Sequence, residues 1–149
     1  MLSRKSLFSF LLIFASLIAA VGSAENNGEA LVIRVIDGDT IVLEDGRHVR
    51  YIGIDTPEKR HPYYSEAKEV NKRLVEGKKV RLEYDIGKRD RFGRTLAYVY
   101  VGDTFVNAEL VKNGYAMIYT VPPNVKYAET FLKHQQEARK AKRGLWGLR

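Results

Sequence analysis

The chain has 149 residues, a formal charge of +7 and no cysteine. Disulfides, thiolate metal sites, a cysteine nucleophile and a lipid-modified N-terminal cysteine are therefore all excluded. The basic excess suits a polyanionic partner, whether nucleic acid, phospholipid or envelope polymer, and equally a merely well-solvated surface.

The N-terminus is basic (MLSRKS), then apolar from Leu7 to Val21, then small (GSA). This order reads as a secretory signal peptide over residues 1–24, cut after Ala24, with a secreted or periplasmic destination. The apolar run is short for a membrane span. An uncleaved anchor is the alternative, and no stable membrane association is expected once the segment is removed. Loss of Arg4 and Lys5 would take the charge from +7 to +5. Residues 25–30 read as a flexible leader, and residues 31–149 as one domain, large enough to bury a core without staples.

Three β-like runs open that domain: LVIRVI (31–36), TIVLE (40–44) and HVRYIGI (48–54). Asp37-Gly38 and Asp45-Gly46 separate them as hairpin turns, giving a meander. In SEAKEVNKRLVEG (65–77) the period changes: Ala67, Val70 and Leu74 recur at helical steps, Ser65 is placed to cap and Gly77 to stop. KVRLEYD (79–85) and TLAYVYV (95–101) read as strands joined by a long polar segment, IGKRDRFGR (86–94). NAELVKNGYA (107–116) reads as a short helix ending near Gly114, with a Pro-Pro loop after it. The stretch 127–144 reads as a last helix, with Ala128, Phe131, Leu132, Ala138 and Ala141 as its apolar positions. Trp146 is expected to fold back over apolar surface. Five strands with a helix between the third and fourth predict an α+β domain, a five-stranded OB-type barrel with about three helices. Topology of this kind permits many functions.

Three segments carry charges that such a barrel does not need: Asp37-Gly38-Asp39-Thr40, RYIGIDTPE (50–58) and DRFGRTLAY (90–98). Asp39 opens the second strand and Asp55 closes the third, so both carboxylates can lie at one end of the barrel. Paired acids repel unless a proton or cation sits between them. All-oxygen donors, with a threonine carbonyl nearby, suit Ca²⁺ better than zinc. An EF-hand is excluded, because its fifth, sixth and twelfth positions counted from Asp37 would be Ile41, Val42 and His48. Arg50 and Arg94 either pair with these acids as a structural network or bracket a phosphate. In the second case Glu58 is placed to take a proton from attacking water.

The motifs IDGDT, R-x4-DTPE and D-R-F-G-R-x-LAY, in this order and on these strands, resemble the thermonuclease (staphylococcal nuclease) family from Leu31 to Trp146. The resemblance implies Asp39, Asp55 and the carbonyl of Thr56 as Ca²⁺ ligands, with Asp37 beside them. It implies Arg50 and Arg94 on the phosphate and Glu58 on the water. It also implies DNA or RNA as substrate, with single strands favoured and 3′-phosphate ends produced. Tyr119 matches one of two nucleotide-proximal tyrosines, and Val121 stands in place of the other. The loop after DTPE is shorter than in the family's founding member. Nothing in the chain calls for a protein partner or an oligomer. His48, His61 and His134 read as surface or loop residues, and the basic run 139–143 as a solvated helix end.

One geometric demand follows. Arg50 and Asp55 are an odd number of residues apart, so an unbroken strand would point them to opposite faces. A shared site requires the strand to break, and Gly53 is the expected place. The rival reading, a non-catalytic OB-type module for single strands, would have no need of all of Asp39, Arg50, Asp55, Glu58 and Arg94. A cationic adhesion domain would have no need of Glu58.

Overall fold

A computed structural model describes residues 28–148. The expected signal peptide and the first residues of the expected leader lie outside the described residues. Strand β1 (Glu29–Val35) takes in the last two leader positions, because Glu29 and Ala30 pair with Arg81 and Val80. β2 (Thr40–Leu43) and β3 (His48–Tyr51) complete the meander. After β4 (Gly53–Asp55) come α1 (Tyr64–Val75), β5 (Lys79–Glu83) and β6 (Thr95–Val101). β7 (Thr104–Phe105) leads directly into α2 (Val106–Lys112), and β8 (Met117–Tyr119) precedes α3 (Ala128–Lys140). A 3-10 turn over Gly144–Gly147 ends the described chain.

Five strands close the barrel in the order β3-β2-β1-β5-β6, and β3 returns to β6 in parallel. Only that pairing is parallel; the others are antiparallel. Strand β7 extends β6, and β4 pairs only with β8. Ile41, Leu43, Val49, Val80 and Val99 fill the interior and are fully buried. The expected OB-type architecture is thus present, with two short strands, β7 and β8, that the sequence pattern did not reveal.

The third run breaks where parity demands. β3 ends at Tyr51, and Gly53 begins β4 with φ +79°. A Cβ at Gly53 would lie 2.6 Å from the Phe131 ring, so both backbone and packing require glycine there. The break would orphan the backbone of Ile52. Instead Ile52 N–H donates to Ala97 O at 3.0 Å, and Asn107 Nδ2 donates to Ile52 O at 2.9 Å. Asn107 Oδ1 also accepts from Val99 N–H at 2.9 Å, and the side chain is wholly buried on α2. Truncating Asn107 to alanine leaves two buried backbone groups without partners. Urea unfolding should show a loss of about 2 kcal/mol.

Helix boundaries differ in detail. Ser65 lies inside α1; the cap position is Tyr63, in the left-handed region at φ +66° and making no side-chain capping bond. The turn after Glu58 runs straight into the helix, through His61 N–H on Glu58 O, so no extended residue precedes it. α1 buries Ala67, Asn71 and Val75, with Val70 and Leu74 half-buried beside them. On α3 the buried stripe is Phe131, Gln135 and Ala138. Leu132 and Ala141 are exposed, since Leu132 sits one residue, about 100° of turn, away from that stripe and Ala141 lies past the last helical residue. Trp146 is half-buried, with the Arg139 guanidinium 4.2 Å above its ring.

Candidate active site

Register assembles the charged groups. In the β2–β3 pair Thr40 faces Arg50, which sets Asp39, the residue before Thr40, beside the Arg50 side chain. Tyr51 N–H donates to Asp39 O at 2.9 Å and locks that alignment. Arg50 Nε then lies 3.3 Å from Asp39 Oδ1. Its Nη2 donates to Asp55 Oδ1 at 3.0 Å. Its Nη1 donates to the carbonyls of Tyr51 and Ile54, at 2.7 and 2.8 Å, on either side of the break. One guanidinium therefore ties together both acids and the kinked backbone.

Asp39 is 4 % exposed. Its Oδ2 accepts from Thr56 N–H at 2.8 Å and from Thr56 Oγ1 at 2.9 Å. Thr40 Oγ1 donates to the other oxygen at 3.2 Å. Burial nevertheless pushes its carboxyl up to about 6, more than Arg50 draws it down, and the charge of Asp37 adds to the rise. Gly38 makes the cage possible, because a Cβ there would meet the Thr56 side chain at 2.7 Å. Asp37 shapes the turn by accepting Asp39 N–H at 3.1 Å. Its carbonyl accepts from Asn71 Nδ2 at 3.0 Å, and Asn71 Oδ1 accepts from Tyr51 OH at 2.8 Å. Asn71 is a positioning residue that sequence reading missed. Its signal was a polar side chain in the middle of the Ala67–Asn71–Val75 stripe, at helical spacing.

Arg94 comes from the neighbouring strand, at the residue before β6, which pairs with β3. The loop 90–94 is wound around Asp90, which accepts Phe92 N–H and Arg94 N–H, both at 2.9 Å, and Arg94 Nε at 2.6 Å. Burial alone would raise Asp90, but these bonds and the Arg94 charge outweigh it, so its carboxyl lies below the usual range. Arg50 and Arg94 both line a cleft of about 540 Å³, with Tyr119, Val121 and Phe92. Phe92 and Tyr119 are 69 % and 58 % exposed at that cleft, and the Phe92 ring lies under the Arg91 and Arg94 guanidinium groups.

The structure thus gathers Asp39, Arg50, Asp55 and Thr56 into one bonded cluster, and Arg50, Arg94 and Tyr119 around one cleft. Glu58 stands on the exposed turn after β4. Its carboxylate makes no ion pair or hydrogen bond among the described residues. It does not line the cleft.

Known proteins resemble this chain over most of its length. The family model of the staphylococcal nuclease homologues matches residues 48–147. The thermonuclease of Staphylococcus hyicus is 46 % identical over 124 residues, covering 77 % of this chain and 73 % of its own length. The chain belongs to the staphylococcal nuclease family. The thermonuclease of Staphylococcus intermedius is 43 % identical over 134 residues, with 83 % and 80 % covered. Endonuclease YncB of Bacillus subtilis is 44 % identical over 124 residues, with 76 % and 59 % covered.

The family implies a calcium ion, and the donor chemistry can be tested against it. Among the described residues no three His, Cys, Asp or Glu side chains are grouped to hold a metal. The available donors are the carboxylates of Asp39 and Asp55 and the Thr56 carbonyl, all oxygen, with no imidazole or thiolate. That set fits a hard cation completed by water. Burial raises the Asp39 carboxyl more than the Arg50 charge lowers it, so a further positive charge beside it would favour its ionised form.

Proposed function

We propose that this member of the staphylococcal nuclease family is an extracytoplasmic, Ca²⁺-dependent phosphodiesterase. Its substrates are DNA and RNA, with single strands preferred, and it acts as a monomer and leaves 3′-phosphate ends. The observation that carries the reading is the double engagement of Arg50, which forms ion pairs with Asp39 and Asp55 and also lines the cleft with Arg94. The class of reaction, hydrolysis of phosphodiesters, is that of the family. An export signal agrees with calcium use, because extracellular Ca²⁺ reaches the range where weak oxygen sites fill.

Asp39, Asp55 and the Thr56 carbonyl would hold the cation, which would supply positive charge to the phosphate oxygens. Arg50 and Arg94, brought to one cleft by the pairing of β3 with β6, supply positive charge to the same phosphate, where charge grows as water attacks in line. Glu58 orients that water and accepts its proton. The water oxygen bonds to phosphorus, the P–O5′ bond breaks, and the departing 5′-oxygen takes up a proton as the 3′-phosphate is left behind. Tyr119 and Phe92 offer exposed rings to unstacked bases, which favours single strands over intact duplex.

The test uses heat-denatured DNA with Ca²⁺, the same reaction with excess chelator, and a Glu58→Ala variant. Cleavage should stop in chelator and fall about 10²-fold in the variant, the low end of general-base contributions. Binding without cleavage in all three would favour a single-strand-binding module and overturn the reading.

A further inference from the structure

On the far side of the 86–94 loop lies a second basic hollow, of about 530 Å³, that takes no part in the chemistry described above. The turn between β2 and β3 forms one wall, with Arg47 and His48. Arg89, Phe92 and Arg94 form the other. Register explains the meeting. The parallel pairing of Val49 with Thr95 sets His48 next to Arg94, and Arg89 bridges to Thr95 from the start of the same loop. Arg47, His48, Arg89 and Arg94 all line the hollow, and Asp45 is its single acid. Asp45 is already committed: it accepts Arg47 Nε at 2.8 Å and Arg47 N–H at 3.0 Å. Arg47 is braced further by Nη1 donating to Tyr84 OH at 3.0 Å. Arg89 makes no ion pair among the described residues.

Arg89, Phe92 and Arg94 line both this hollow and the catalytic cleft, so the loop is a shared ridge between two cationic troughs. Phe92, with Arg91 and Arg94 at 4.7 and 5.5 Å from its ring centroid, sits on that ridge. Arg47 and Arg94 are each paired with a carboxylate, Asp45 and Asp90, and Arg89 is not, so the lining holds three guanidinium groups against one carboxylate. A bound anion would offset that excess of positive charge.

We infer that this hollow is a second phosphodiester subsite: a single-stranded substrate crosses the Phe92 ridge and rests a neighbouring phosphate on Arg47, His48 and Arg89. The inference rests on the nuclease reading above. It makes the enzyme sensitive to chain length, because a ligand of two nucleotides fills only the catalytic cleft and a longer strand fills both troughs. Arg47 and Arg89 contribute forked donors and His48 a ring N–H, so recognition is of backbone and not of base.

The test is binding of fluorescent oligodeoxynucleotides, two and twelve nucleotides long, by anisotropy across a salt series with chelator present to prevent cleavage. An Arg47→Gln/His48→Gln double variant is compared with the parent, and a single Arg89→Gln variant serves as a second probe. Loss of one phosphate contact on a single strand should lower the slope of log affinity against log salt by about 0.7 for the twelve-mer. Twelve-mer affinity of the double variant should fall several-fold, while its dinucleotide affinity moves less than twofold. Equal effects on both lengths, or none on the twelve-mer in either variant, would overturn the subsite and leave the nuclease reading standing. A parent protein that neither binds nor cleaves the twelve-mer would remove both.

Discussion

Replacing Arg94 by glutamine should lower kcat on denatured DNA by about 10²–10³-fold, or about 3–4 kcal/mol of transition-state stabilisation. Folding stability should hardly change. Arg94 is partly exposed, and its one ion-pair partner among the described residues is Asp90, a pairing of the kind worth about 1 kcal/mol or less. Arg50→Gln should cost as much in kcat and should also destabilise the fold. Its guanidinium donates to the carbonyls of Tyr51 and Ile54 and contacts both acids, so its loss strips a kinked backbone of partners and leaves Asp39 buried without its counter-charge. Measuring kcat beside urea unfolding therefore separates the two arginines. Arg94→Lys should recover only part of the loss, since an ammonium group restores charge without the fork. An Arg94→Gln protein of parental stability whose kcat stays within threefold of the parent would end the case for Arg94 at the phosphate.

The motif residues were legible because each lies within a short run whose local pattern is intact. Asp39 stands out as a carboxylate that no turn explains, and the odd offset between Arg50 and Asp55 requires a break on parity alone. What escaped was the scaffolding that comes from elsewhere in the chain. Asn71 and Asn107 occupy core-facing positions of helices, where one polar residue in an apolar stripe looks like noise. Their meaning lies in backbone groups 34 and 55 residues away, at Asp37 and Ile52. Strand β8 was invisible for a similar reason: three residues carry too little periodicity, and only the partner β4, freed by the break at Ile52, gives them a ladder. The exposed position of Glu58 follows from the turn that leads into α1, whose start at Tyr64 needs no side-chain cap. Ser65 suggested otherwise because capping propensity is local, whereas the preceding turn is held by His61 N–H on Glu58 O.

Asp39→Asn should make the protein increasingly more stable than the parent as pH rises, when both are measured in chelator. The sign follows from burial: the Asp39 carboxyl is pushed up to about 6 in the folded protein, from an ordinary value of 3.8. Between those values the folded state holds a proton that the unfolded chain has released, so raising pH favours unfolding of the parent. Asparagine cannot titrate. The stability difference should therefore shift toward the variant by about 2 kcal/mol between pH 4 and pH 7, with a slope that approaches about 1.4 kcal/mol per unit in the middle of the window. Because this is a change with pH, it is insensitive to whatever constant effect the amide has on the bonds from Thr56 and Arg50. Urea titrations at several pH values give the number directly, and a difference that stays flat would mean that Asp39 is adequately compensated by Arg50 alone. Adding Ca²⁺ at pH 7 closes the argument from the other direction. The parent should gain thermal stability in proportion to the logarithm of free calcium above its dissociation constant, and the variant should gain much less. A carboxylate kept at a net cost to folding is then accounted for by the ion it helps to hold.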